Sequence, residues 1–317
     1  MAVMSRFRDW SLLVLCNLIW GSQFAMVKLV QEQMGPVFAT FFPMLLATFL
    51  LIPIVYLEKR SRTRGNPGHL TKREVLDFFL MGVLGQVGAQ LFVTWGVRLS
   101  TASNAALVQL TLPVSTALVA YLILRERMSP VRWISFAFAI AGVLQCSGID
   151  WRELNFRSRE QLLGGLMIFI AVNGSAFYNV YGKKLLGRFS PLEVLLYSNY
   201  TFVIAMVPVT LYAEPKGFMN LGGLSLRVWV GLIILTLFQY LLSMVIFLNV
   251  LTRLEATQAA LSNYMIPFFG IVIAAIVLHE RLTAAMIGGG VLVLASTLLI
   301  TIHEESQRSS AAARAAD

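Results

Sequence analysis

Residues 103–129 read SNAALVQLTLPVSTALVAYLILRERMS, and residues 257–283 read TQAALSNYMIPFFGIVIAAIVLHERLT. Set 154 residues apart, Ala105-Ala106-Leu107 falls on Ala259-Ala260-Leu261 and Pro113 falls on Pro267. Glu126-Arg127 falls on Glu280-Arg281, and Ser129 on Thr283. Each stretch is an apolar run with a proline in its middle and a Glu-Arg pair at its end. Nearer the N-terminus, Gly21-Ser22 matches Gly174-Ser175 at an offset of 153. A recurring offset of about half the chain is the mark of an internal duplication.

Outward from these runs the chain is apolar throughout. It has 317 residues, 57% hydrophobic and 13% charged. A soluble domain carries about 25% charged residues. The mean hydropathy of +0.74 agrees with a lipid environment. Crossing the hydrocarbon core takes about 20 apolar residues. Ten runs approach that length: 11–30, 37–56, 75–95, 102–124, 131–148, 162–181, 191–212, 228–250, 257–278 and 284–302. Turn residues separate them, as at Gly35-Pro36, Asn66-Pro67-Gly68, Ser129-Pro130, Ser190-Pro191 and Glu214-Pro215. The runs are too long and too uniformly apolar for barrel strands. The first run carries Asn17, Trp20, Gln23 and Lys28 and no cleavage site, so it reads as a retained helix.

The net charge of +9 sits between the runs. With the N-terminus cytoplasmic, 17 of the 25 Lys and Arg fall on the inner side and 8 on the outer. The positive-inside rule then places both termini in the cytoplasm, with the protein in the inner (plasma) membrane. It also accounts for the basic charge without nucleic acid as a partner. Five helices per repeat is an odd number, so the second repeat enters from the opposite face. The expected fold is all-α, with ten transmembrane helices in two inverted five-helix repeats around a central cavity. The repeats are 1–149 and 150–303, and the polar, Ala/Ser-rich 304–317 is expected to be a disordered cytoplasmic tail. Inverted repeats are a transporter architecture.

These features resemble the EamA-type members of the drug/metabolite transporter superfamily. The resemblance rests on the two five-helix repeats, Trp20-Gly21 in the first helix, and the paired helices ending in LRERMS and LHERLT. It spans about residues 10–302. One departure is Asn173-Gly174 where Trp20-Gly21 would recur. The resemblance implies a cavity between the repeats and export or exchange of amino acids or similar metabolites.

Polar groups at membrane depth mark pathways or glue helices together. Asn17, Trp20, Gly21, Phe24 and Lys28 share a face at steps of three and four. Gln86 and Gln90 lie four apart, and Gln239 with Ser243 is their counterpart. Asn104 pairs with Gln258, and Gln109 with Asn263. The candidate solute-binding set is Asn17, Trp20, Phe24, Gln86, Gln90, Gln109, Asn173, Gln239 and Asn263. Pro113 and Pro267 are candidate hinges, each expected to kink a helix in mid-span. Tyr178, Tyr197, Tyr200, Tyr240 and Tyr264 read first as belt or packing residues. Glu126-Arg127 and Glu280-Arg281 read as interfacial anchors, with gating ion pairs as the alternative.

No catalytic group, metal site or cofactor motif is expected. Cys16 and Cys146 are too far apart in sequence to suggest a metal pair, and HER at 279–281 is not HExxH. The Gly82, Gly85 and Gly88 run follows no strand, so it is no phosphate loop. Asp and Glu fall in loops or near helix ends, and Lys28 is expected to snorkel to water from the outer end of its helix. The sequence therefore points to a secondary transporter, an exporter or exchanger of small neutral or zwitterionic metabolites working by alternating access. The competing class is a non-transporting polytopic protein: a scaffold, receptor or lipid-modifying enzyme. The expected partners are a small-molecule substrate and the bilayer, and a homodimer is a candidate assembly.

Overall fold

The computed structural model describes residues 2–61, 70–124, 130–146, 149–150, 155–156, 159–251, 263 and 265–316. These are helical apart from turns and a two-residue β-ladder, β1 (Ile149–Asp150) with β2 (Asn155–Phe156). The helices are α1 (Ala2–Val30), α2 (Pro36–Ser61), α3 (Lys72–Leu80), α4 (Gly88–Leu99), α5 (Ala102–Val108), α6 (Leu112–Leu124) and α7 (Pro130–Cys146). Then come α8 (Arg159–Leu186), α9 (Pro191–Ala213), α10 (Leu226–Ile233), α11 (Ser243–Leu251), α12 (Met265–Leu278) and α13 (Ala284–Ala316). Among the described residues, six helical stretches are long and apolar enough to cross a membrane: Arg8–Val30, Pro36–Arg60, Lys72–Leu99, Arg159–Leu186, Pro191–Ala213 and Leu226–Val250. Trp133–Gly142, Met265–Leu278 and Ala284–Ser296 are shorter apolar helices.

Two of the long stretches are α-helices interrupted by π-helix. Met81–Val87 joins α3 to α4, and Ile234–Leu242 joins α10 to α11. π-helix is rare and concentrates at functional sites. The two segments start 153 residues apart, the offset seen between Gly21 and Gly174.

Local chemistry explains the helix starts. Ser190 accepts from the Glu193 amide while Glu193 reaches back to Ser190, and Pro191 needs no donor at the first position. Thr71 and Glu74 repeat that box before α3. The α2 start is capped from a distance: Glu214, just past α9, accepts from the amides of Val37 (3.0 Å) and Phe38 (2.9 Å). At the other end of the pair Ser190 donates to Glu58 of α2 at 3.1 Å. Helices α2 and α9 thus lie antiparallel along their length, each ending where the other begins.

Helix α1 is the most enclosed, with 67% of its apolar window buried. It packs along α12, while α8 packs along α4 and α6, and α7 along α13. The α1–α12 contact needs glycine. A Cβ on Gly21 would sit 2.7 Å from the Phe269 Cβ and 2.9 Å from the Gly270 nitrogen. Outward-facing Ile204, Ile276 and Phe49 stay exposed, as lipid contact requires. Tyr212, 92% exposed near the end of α9, suits an interfacial belt.

Pro113 and Pro267 fall near the described starts of their helices. A 3₁₀ turn, Gln109–Thr111, separates α5 from α6, so Pro113 is the second residue of α6 and Pro267 the third of α12. There a missing N–H leaves no broken bond. Helix α13 continues to Ala316. Its run of alanines, the best helix formers, suits that extension. Glu126, Arg127, Gln258 and Tyr264 lie outside the described residues, as do the side chain of Pro113 and residues 62–69.

Candidate solute-binding cavity

The two π segments deliver polar side chains to one place. An internal cavity of about 120 Å³ is lined by Gln86 and Gln90 from the α3–α4 stretch and by Gln239 and Tyr240 from the α10–α11 stretch. Helix α1 adds Trp20, Gln23 and Phe24; α8 adds Ser175, Tyr178 and Asn179; α9 adds Asn199. Gln109 lines it from the 3₁₀ turn and Asn263 from the approach to α12. Met44, Val93, Leu112, Leu195, Met244 and Ile266 supply the apolar lining.

The amides form two connected groups. In the first, Gln239 Nε2 donates to Gln23 Oε1 at 2.8 Å, and Gln23 Nε2 donates to Gln90 Oε1 at 2.7 Å. Tyr240 also donates to Gln90 Oε1, at 3.4 Å. In the second, Gln86 Nε2 donates to Asn199 Oδ1 at 2.7 Å. Trp20 is held from both sides. Its Nε1 donates to Ser243 Oγ at 3.0 Å, and its ring meets Phe247 edge-on at 4.8 Å between centroids. Ser243 donates in turn to the Gln239 carbonyl.

Each group leaves unmet hydrogen-bonding atoms. Gln239 Oε1, Gln86 Oε1 and Asn199 Nδ2 are buried and have no partner among the described residues, and the same holds for Asn263 Oδ1. A buried polar atom left unpaired costs about 1–3 kcal/mol. Three acceptors and one donor on side chains around a single cavity are thus left without a partner there. Among the described residues, no Lys, Arg, Asp or Glu lines it. The nearest ionic layer lies toward the α2 end and the α8–α9 turn. There Lys59 meets Glu193 at 3.2 Å, Lys184 meets Asp77 at 3.3 Å, and Arg188 meets Glu74.

Of the nine candidate residues, the cavity gathers Trp20, Phe24, Gln86, Gln90, Gln109, Gln239 and Asn263. Asn17 is fully enclosed among α1 contacts away from the lining. Asn173 donates to the Phe169 carbonyl of its own helix at 2.8 Å. Gln23, Asn199, Ser175 and Asn179 were not anticipated, and Tyr178 and Tyr240 line the cavity rather than an interfacial belt. Helical spacing carried a signal for Gln23, three residues from Trp20 on the same face. Lys28 is half-buried. Its Nζ donates to the carbonyls of Val97 (2.8 Å) and Ser100 (2.7 Å) at the end of α4 and, on the exposed side, to the Arg98 carbonyl at 3.5 Å. Carbonyls at a helix end attract a cation.

Comparison with known proteins places this cavity in context. The model of the EamA-like transporter family matches residues 10–147 and 162–302. An uncharacterized transporter of Archaeoglobus fulgidus is 23% identical over 276 residues, 87% of this chain and 92% of its own length. A probable terminal-alkyne amino-acid exporter of Streptantibioticus cattleyicolor is 24% identical over 210 residues, 66% of this chain and 67% of its own. A crystal structure at 14% identity superposes with a TM-score of 0.60, covering 94% of this chain and 98% of that one, which speaks to the fold.

Proposed function

Because the chain belongs to the EamA-like transporter family, we propose that it is a secondary transporter, exporting or exchanging a small neutral or zwitterionic metabolite such as an amino acid. The observation that carries the reading is the set of unmet amide atoms around a cavity with no charged lining among the described residues. A zwitterion offers an ammonium to Gln86 Oε1 or Gln239 Oε1 and a carboxylate to Asn199 Nδ2. A phosphorylated solute would meet no cation there, and desolvating such a charge unpaired costs several kcal/mol. The relative from Streptantibioticus cattleyicolor, named as an amino-acid exporter, supports the same class.

Alternating access asks for two related halves, and several features support ten spans in two inverted repeats. The π segments recur at an offset of 153. Pro36 and Pro53 of α2 recur as Pro191 and Pro208 of α9, both at 155. Helix α1 packs on α12 as α8 packs on α6, and α2 and α9 are tied at both ends, by Glu214 to the α2 amides and by Ser190 to Glu58. The Lys/Arg distribution supports a multi-pass arrangement in the inner (plasma) membrane with both termini cytoplasmic. Relatives named as transporters support a non-enzymatic role.

Uptake into proteoliposomes, with a panel of neutral amino acids, sugars and sugar phosphates, tests the proposal. Saturable uptake of a neutral or zwitterionic solute is expected. A panel on which only phosphorylated solutes move would overturn it.

A further inference from the structure

The turn between α4 and α5 is gripped from two sides. Lys28 of α1 binds the Val97 and Ser100 carbonyls, the negative end of α4. Glu280, beyond α12, accepts from the amides of Ala102 (3.0 Å) and Ser103 (2.9 Å) and from Ser103 Oγ (2.8 Å), the positive end of α5. The cation and the anion come from distant parts of the chain and each meets the matching helix end. His279, just before Glu280, has φ 55°, the one positive-φ non-glycine among the described residues. A histidine in that region is strained, and such strain persists where surrounding contacts impose it.

Beneath this grip lies a seal of small residues. Ala102, Ala105 and Ala106 of α5 are fully buried. A Cβ on Gly270 would lie 2.7 Å from the Ala106 Cβ, so α12 and α5 nearly touch by backbone. The residue after α5 is Gln109, which lines the cavity. One short helix therefore links the gripped turn to the cavity. The ionic ties at the opposite end join α2 to α9 and α3 to α8, and leave α5 and α12 untouched.

We propose that Lys28 and Glu280 form the clamp of a gate. While they hold the α4–α5 turn, α5 stays zipped against α12 and α1, and the cavity is shut from that face of the membrane. Releasing Glu280 frees α5 to part from α12 and exposes the cavity there. This rests on the transporter reading for its purpose, though its test needs no solute.

The test is thiol accessibility. In a background with Cys16→Ala and Cys146→Ala, the reporter is Ser175→Cys in the cavity. A membrane-impermeant maleimide is applied to oriented vesicles from the face bearing the α4–α5 turn. Glu280→Gln weakens the charge-assisted bonds and should raise the labelling rate about tenfold. Glu280→Asp should fall between it and the parent. Conversely, a disulfide formed between Ser103→Cys and Glu280→Cys should suppress labelling of Ser175→Cys below the parent rate. A monodisperse Glu280→Gln protein that labels at the parent rate would overturn the gate. If that variant fails to fold, the cross-linked protein decides, and unchanged labelling overturns it equally. A clamp that passes in a protein that moves no solute from the panel would leave the gate standing and defeat the transporter reading alone.

Discussion

Replacing Gln239 by Met should separate solute binding from stability. The change keeps an unbranched side chain of similar length and removes both amide atoms. On the stability side it deletes the 2.8 Å bond to Gln23 and leaves Gln23 Oε1 without its donor. That costs about 1–3 kcal/mol. It also removes Gln239 Oε1, itself buried and unpaired, which returns a similar amount. The net change in stability should be within about 1 kcal/mol of zero. On the binding side an amide on a lining residue is lost. If the solute supplies its donor, affinity falls by about 1–3 kcal/mol, roughly 5- to 150-fold. Proteoliposome uptake gives KM and maximal rate, and a thermal melt in detergent gives stability. A KM raised at least fivefold with a melt close to wild type is expected. An unchanged KM beside a large loss of thermal stability would show that Gln239 only glues helices.

Gly270→Ala should destabilise by about 1–3 kcal/mol through overpacking against Ala106, read as a lowered melting temperature; an unchanged melt would mean that α5 and α12 are looser than described. Glu214→Ala uncaps α2 and should cost about 1 kcal/mol, while Glu214→Gln should recover part of it in the same melt. Single-cysteine labelling should find the 57–74 loop on the cytoplasmic face and the 149–160 loop outside, and labelling of both from one side would break the ten-span topology.

Much of the cavity was legible because amides are conspicuous in apolar helices. Gln86, Gln90, Gln109, Gln239 and Asn263 stood out as polar groups recurring at related positions, and all line one space. The same rule hid Asn199. Its counterpart 155 residues earlier is Met44, an apolar residue that also lines the cavity. Gln23 shares a face with Trp20, a signal within α1, but its partners Gln90 and Gln239 come from two other stretches and only the fold brings them together. The π segments were illegible, since residues 81–87 and 234–242 are as apolar as any helix and carry no proline. Lys28 and Glu280 show the limit for charges. Their position near helix ends was plain from sequence, but the helix ends they bind belong to other parts of the chain.

The central claim is that the cavity carries a neutral or zwitterionic solute from one face to the other. Counterflow tests it most directly. Proteoliposomes are loaded with the unlabelled amino acid that performs best in the uptake panel, and entry of the same labelled amino acid is followed from outside. The account predicts saturable entry, accelerated by the internal solute and strongly reduced by Gln239→Met. Entry that neither saturates nor responds to internal solute would contradict it, as would counterflow of a sugar phosphate that is abolished by Lys28→Gln.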